Sequence, residues 1–261
     1  MRAGRGADEG PGGPLRVTEA CADLLTGAAC LGCARPGRLL CHDCRAALPV
    51  HPVPAVLDPT PPGLAPTWAA AAYDGVVRDL VVHHKERRRL SLRPPLADLL
   101  TRAVRAAAPG RDAVLLVAVP SRRAVVRARG HDPLGTLVAL AARRLRRQGV
   151  PARPFRLLAP HGAVADQAGL DAAARAANLA GSMWCPGARR LPASAAGSRL
   201  VVCDDVVTTG ATLAEAQRAL AAVGLPVTGH AVVAATLRRH PPPAPARPDR
   251  PDRLPWVGRA Y

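Results

Sequence analysis

The chain of 261 residues is long enough for one α/β domain of ordinary size with a small appendage. Its hydrophobic fraction of 49% is ample for a core, but aromatic residues contribute only 2%, so Ala, Val and Leu must build it. A net charge of +17 predicts attraction to polyanions, either phosphorylated substrates or nucleic acid, while no run approaches the roughly 18 apolar residues of a membrane span.

Lys85 is the sole lysine, so the remaining basic side chains are arginine. That skew, with abundant Ala, Pro and Gly, matches a high-GC coding background, which accounts for part of the charge. No nucleic-acid-binding module and no aromatic stacking platform is recognisable. The first residues lack the apolar core of a secretory signal, so a cytoplasmic protein is expected. In a reducing compartment, seven cysteines point to metal or buried thiols rather than disulfides.

In chain order, residues 1–14 are Gly-rich and expected to be disordered, and residues 17–25 read as a short helix. Cys30, Cys33, Cys41 and Cys44 follow as two C-x₂-C pairs separated by seven residues that include Pro36 and Gly37. Each pair can place two thiolates on one metal, and four thiolates suit tetrahedral Zn²⁺ in a closed structural site, a zinc-ribbon-like module over 15–48. Cys21 and His42 are spare ligands that fit the paired spacing less well. Residues 49–66 hold many prolines without periodicity and read as a linker.

The α/β part is expected from 67 to 237. Trp68 to Tyr73 reads as a short strand, Val76 to His83 as a helix and Leu96 to Ala107 as a second helix. Between the helices stand Lys85 and Arg87, Arg88 and Arg89, either a solvated basic face or a group facing a pyrophosphate. Val114 to Val119 reads as a buried strand running into Pro120, Ser121, Arg122 and Arg123, with Arg127, Arg129 and His131 beyond. A loop at the carboxyl edge of a parallel sheet is where open α/β folds bind ligands, and clustered arginines there can grip a pyrophosphate. From Leu134, the positions Leu137, Val138, Ala141, Ala142 and Leu145 repeat at helical spacing. Phe155 to Leu158 reads as a third strand. Residues 160–182, with Gln167, Arg175 and Asn178, suit either a lid over a reacting centre or an amphipathic surface helix over 170–180. A last strand is expected near His230 to Ala235, and 238–261 is a Pro/Arg-rich extended tail.

The stretch LVVCDDVVTTGAT, Leu200 to Thr212, organises the rest. Leu200 to Cys203 suits a strand buried on both faces that ends at charged residues. Asp204 and Asp205 come next, then Val206, Val207, Thr208, Thr209, Gly210, Ala211 and Thr212, and an Ala-rich helix starts at once and can stop at Gly224. A strand that turns into a helix N-terminus presents unpaired N–H groups and the positive dipole end to a phosphate. The two carboxylates are wrong for phosphate but right for a cis-diol. A ligand with a phosphate at one end and ribose hydroxyls at the other satisfies both.

These residues closely resemble the phosphoribosyl-pyrophosphate (PRPP) motif of type I phosphoribosyltransferases. The resemblance implies a Rossmann-like, mostly parallel α/β domain, with Asp204 and Asp205 on the ribose hydroxyls and Thr208 to Thr212 around the 5-phosphate. It also implies Mg²⁺ held mostly through the substrate's own oxygens. More widely, over residues 20–237, the chain resembles the ComF family (ComFC-type, amidophosphoribosyltransferase-like), in which a four-Cys zinc finger precedes such a domain. The matching pieces are the four cysteines, the Tyr73-Asp74-Gly75 turn leading to Lys85, Val119-Pro120 with Arg122-Arg123, Arg127, Arg129-Gly130 and the spacing Gln167, Leu170, Arg175, Asn178. The resemblance implies transfer of a 5-phosphoribosyl group to a nitrogen acceptor. It puts Lys85, Pro120, Ser121, Arg122 and Arg123 on the pyrophosphate and Gln167, Arg175 and Asn178 in a lid.

The family is linked to natural competence, which implies single-stranded DNA and uptake proteins as partners; a non-catalytic PRPP- or DNA-binding adaptor is the competing expectation. Two places depart from the family pattern. Arg129-Gly130-His131-Asp132-Pro133 stands for Arg-Gly-Phe-Asn-Gln. Ala163, Val164 and Ala165 stand for the lid's Arg-x-Thr, which leaves Arg175 to support the leaving group.

Overall fold

In a computed structural model of the chain, residues 28–121, 132–161, 179–187, 191, 195 and 197–236 are described. The expected helix over 17–25, the lid residues Gln167, Arg175 and Asn178, and the two ends lie outside them.

Eight strands occur among the described residues: β1 (Val53–Pro54), β2 (Thr67–Ala72), β3 (Val114–Ala118), β4 (Ala152–Phe155), β5 (Ala159–Pro160), β6 (Met183–Trp184), β7 (Arg199–Val207) and β8 (Gly229–Ala235). The helices are α1 (His42–Ala46), α2 (Gly75–Glu86), α3 (Arg93–Ala107), α4 (Pro133–Arg147) and α5 (Ala211–Ala221). Six strands form one sheet in the order β1-β2-β8-β7-β3-β4, and β5 pairs with β6 apart from it. Within the large sheet every pairing is parallel except β1 with β2. This is the expected Rossmann-like α/β fold, with its buried strands reading as continuous apolar runs.

The core follows from composition. All seven residues of β8 are buried, and the three alanines Ala69, Ala70 and Ala71 of β2 beside it are buried too. Strands this poor in bulk let a helix approach closely. Helix α3 does so, burying Leu96, Leu99, Leu100, Ala103 and Val104. A Cβ built on Gly229 would lie 3.4 Å from Ala107 Cβ and 3.1 Å from Pro66 O. Helix α4 buries Leu134, Leu137, Val138, Ala141, Ala142 and Leu145, the stripe read from its spacing. The departure at Asp132-Pro133 has a local physical basis: the Asp132 carboxylate accepts from Gly135 N at 2.9 Å as the N-cap, and Pro133 occupies the first turn, where no N–H is needed.

Several boundaries differ from the sequence reading. The third strand lies at Ala152–Phe155 rather than at 155–158, because its pairing with β3 ends at Val117 opposite Phe155. Leu157 is instead buried behind Gly187, whose N–H reaches Leu157 O at 3.2 Å. Strand β7 continues through both aspartates to Val207, since β8 still pairs with Asp204, Val206 and Val207. Helix α3 begins at Arg93 because its two prolines fall in the tolerated first turn.

The stretch 49–66, expected as a linker, is held against the domain. Val53–Pro54 adds the antiparallel edge strand. The Gln217 side chain, on α5, donates to Gly63 O at 2.7 Å and accepts from Ala65 N at 2.9 Å.

Candidate functional site

The carboxyl edge of the sheet gathers the residues singled out in the central stretch. Asp204 and Asp205 lie in the last four residues of β7, and Gly210 begins α5 two residues after the exposed Thr208. Gly210 has φ +75° and ψ 0°, a left-handed conformation that favours glycine, and no side chain caps the helix behind it. The first-turn N–H groups of α5 therefore face outward with the dipole's positive end, as an anion site requires. The back of this turn is occupied: a Cβ on Gly210 would lie 2.5 Å from Leu57 Cδ1 and 3.3 Å from Leu64 Cδ2, both in the proline-rich stretch.

Strand β3 brings a second piece to the same edge. Val119 N donates to Cys203 O at 2.9 Å, so Pro120 and Ser121 follow at the same edge as Asp204. Arg122 and Arg123 lie outside the described residues.

The two aspartates differ. Consecutive strand side chains leave opposite faces. Asp205 is buried and receives Lys85 Nζ on Oδ2 at 2.7 Å, while its Oδ1 accepts from Val206 N at 2.7 Å. The chain's sole lysine thus reaches from the last turn of α2 onto the second carboxylate of the motif. No pattern in the sequence announces this pair, because the two residues meet only through the packing of α2. Asp204 is half-buried, and its Oδ1 accepts from Asp205 N at 2.8 Å. Burial, and next the neighbouring Asp205 charge, push its carboxyl up to about 8, against the pull of that N–H and of Lys85. One carboxylate is paired with an ammonium, and the other keeps a proton near neutrality.

The four-Cys cluster assembles as its spacing implies. The Sγ atoms of Cys30, Cys33, Cys41 and Cys44 all lie within 4.8 Å of one another, and Cys33 and Cys41 are 3.7 Å apart. Tetrahedral Zn–S bonds of about 2.3 Å require sulfur separations of about 3.8 Å, so the donor set fits Zn²⁺. Backbone N–H groups of Gly32 and Cys41 point at Cys30 Sγ, each at 3.4 Å. Although burial opposes ionisation of Cys30, these donors draw its thiol down to about 6. Shared hydrogen bonds with Cys41 and then Cys30 hold Cys44 up at about 12. One acidic thiol with three more sulfurs around it is a donor set from which a binding metal displaces protons. Cys203 is buried in β7 and takes no part, and His42 points away, its side chain almost fully exposed.

The module is fixed to the domain. Arg45 of α1 pairs with Asp98 of α3 at 2.6 Å, and Arg144 of α4 reaches the same carboxylate. No described helix is long and apolar enough to cross a membrane.

A sequence model of the phosphoribosyl transferase domain matches residues 162–250, a stretch that takes in β6, β7, α5 and β8. No curated protein matches the chain. Similarity to the domain covers about a third of the chain. It falls on the strand-turn-helix unit described above and supports phosphoribosyl transfer in general.

Proposed function

We propose that the protein binds PRPP at the Asp204–Thr212 unit and transfers its 5-phosphoribosyl group to a nitrogen acceptor, releasing pyrophosphate. The observation that carries this reading is the β7-turn-α5 unit itself: a left-handed Gly210 opening an uncapped helix, two residues past Thr208 and close behind two carboxylates. The phosphoribosyl transferase domain match includes it.

In this reading Thr208, Thr209, Gly210, Ala211 and Thr212 cradle the 5-phosphate, and Val206 and Val207 carry the strand into that turn. Asp204 and Asp205 take the ribose hydroxyls. Pro120 and Ser121, with Arg122, Arg123 and Lys85, face the pyrophosphate; Gln167, Arg175 and Asn178 belong to the closing segment, with Arg175 supporting the departing charge. Bond cleavage at an oxocarbenium-like centre needs positioning and electrostatic support of the leaving group more than covalent help. Mg²⁺, where bound, neutralises pyrophosphate charge. The aspartate oxygens already engaged by N–H groups and Lys85 suit hydroxyl contacts, so the ion is held through substrate oxygens. The four-Cys module with this domain supports membership of the ComF family, a cytoplasmic setting and a link to DNA uptake.

A second reading, a non-catalytic PRPP- or single-stranded-DNA-binding adaptor, is favoured by the charge of +17 and by Ala163, Val164 and Ala165 in the lid. Calorimetric titration of PRPP with Mg²⁺ into the wild type and an Asp204→Asn/Asp205→Asn variant tests the first. Micromolar binding lost in the variant is expected; no binding by the zinc-replete wild type refutes it. Binding of DNA that falls steeply with salt, without PRPP turnover, favours the adaptor.

A further inference from the structure

The turn between α2 and α3 concentrates positive charge beside the site. Arg87, Arg88, Arg89 and Arg93 fall within one short stretch, the first two exposed and the others half-buried. The arginine–carboxylate pairs among the described residues engage Arg35, Arg45, Arg144, Arg156, Arg199 and Arg218, and leave these four out. Arg93 Nε is buried with no hydrogen-bond partner among the described residues. A buried donor left unsatisfied calls for an absent partner, and a guanidinium bonds anions more strongly than neutral acceptors.

The backbone gathers these side chains. Arg88 has φ +51°, a left-handed conformation that is uncommon for a residue with a side chain. The N–H groups of Arg87 and Arg89 both bond to His83 O at 3.2 Å, which wraps the run around the end of α2. The negative dipole end of α2 equals roughly half a charge. Together with the Glu86 carboxylate before Arg87, it offsets fewer than two of the four cations. The imidazole of His83, nearby on α2, is less basic than usual, through burial first and then through Arg87 and Arg89 against Asp79. Four guanidiniums against Glu86 and the dipole end leave the turn net positive. Lys85, two residues before Arg87, touches Asp205 at 2.7 Å, which places the turn at the carboxyl edge.

We propose that Arg87, Arg88, Arg89 and Arg93 form a phosphate site adjoining Asp205, distinct from the loop at Pro120 and Ser121, that takes a substrate phosphate other than the 5-phosphate. Arginines suit this task because their planar forks bind phosphate oxygens in pairs. The substrate's identity rests on the PRPP reading; the anion site does not. Its phosphate belongs either to the pyrophosphate of PRPP or to an anionic acceptor.

The test is titration of inorganic pyrophosphate at fixed ionic strength into the wild type, Arg87→Gln/Arg88→Gln, and Arg87→Gln/Arg88→Gln/Arg89→Gln. The exposed double variant leaves buried packing untouched, and circular dichroism checks the triple. Pyrophosphate affinity should fall about threefold or more in the double and about tenfold or more in the triple, while ribose 5-phosphate binds within twofold of wild type. Unchanged pyrophosphate affinity, no pyrophosphate binding by wild type, or equal binding of sulfate and citrate overturns the site. Failure of ribose 5-phosphate to bind wild type sinks the PRPP reading and leaves the pyrophosphate result standing. Competition between PRPP and pyrophosphate assigns the site to the leaving group; pyrophosphate binding alongside saturating PRPP assigns it to an acceptor.

Discussion

Replacing Gly210 by alanine strikes the turn from two directions. The residue sits at φ +75°, where a side chain meets its own backbone, a strain of about 1–2 kcal/mol. The added Cβ also points at Leu57 Cδ1, 2.5 Å away, and Leu57 is itself buried. Because that atom is the tip of a side chain, rotation relieves part of the overlap, and about 1–2 kcal/mol of overpacking remains. Gly210→Ala should therefore lose about 2–4 kcal/mol in urea unfolding. Leu57→Ala provides the discriminating control. If the proline-rich stretch truly backs the turn, the double variant is destabilised by about 1 kcal/mol or more less than the sum of the single changes, since the methyl fills the space that Leu57 vacates. A loss below about 0.5 kcal/mol in Gly210→Ala, or strict additivity, would refute the reasoning.

Asp204 predicts a pH signature. Its carboxyl holds a proton up to about 8 when folded and loses it near its ordinary value of 3.8 when unfolded, so the native state binds the extra proton between those values. Stability must then decline as pH rises through that window, by roughly 1–3 kcal/mol; Asp204→Asn should flatten the curve in urea titrations from pH 5 to 8.5, and an unchanged slope would count against it. Lys85→Met should destabilise by about 1–2 kcal/mol at pH 7.5, less than a fully buried pair because the ammonium is partly exposed. In an Asp205→Asn background the same change should be near neutral, and an equal loss there would show that the pair is not the cause. Chelation should raise hydrogen exchange over residues 28–48 and expose four further thiols to a disulfide reagent, with β7 and β8 still protected; protection of 28–48 after metal removal would contradict a zinc-dependent module. Gln217→Ala removes the bonds to Gly63 and Ala65 and should speed proteolysis within 49–66, with a stability loss of about 1–2 kcal/mol.

What the sequence revealed was local. The apolar run from Leu200, the helical stripe from Leu134 and the paired cysteines each carry their own period or spacing, and the structure bears out a buried strand, a packed helix and a converged cluster there. Boundaries were less legible where two signals compete. Charged residues usually end a strand, yet pairing with β8 carries β7 through Asp204 and Asp205. Prolines usually mark a linker, yet at an edge and against α5 they cost no ladder bonds, so residues 53–66 pack. Lys85 illustrates the limit best. It is the only lysine of the sequence, but its partner lies on another element, and no local pattern encodes an ion pair closed by tertiary packing.

The same logic explains why the thirteen residues from Leu200 to Thr212 are not by themselves the site. They supply the donors of the turn and the two carboxylates, but the surroundings set the state of each group. Lys85 pairs with Asp205, while burial beside that carboxylate keeps Asp204 protonated near neutrality. Leu57 and Leu64 close the back of Gly210, so a ligand can approach only from the front. Gln217 fixes that backing through bonds to residues 152 and 154 positions away in sequence. A copy of the motif on another scaffold would keep the helix dipole and lose this arrangement. The chemistry of the turn therefore depends on the proline-rich stretch and on α2 as much as on the motif, and substitutions in either should alter ligand affinity without touching a motif residue.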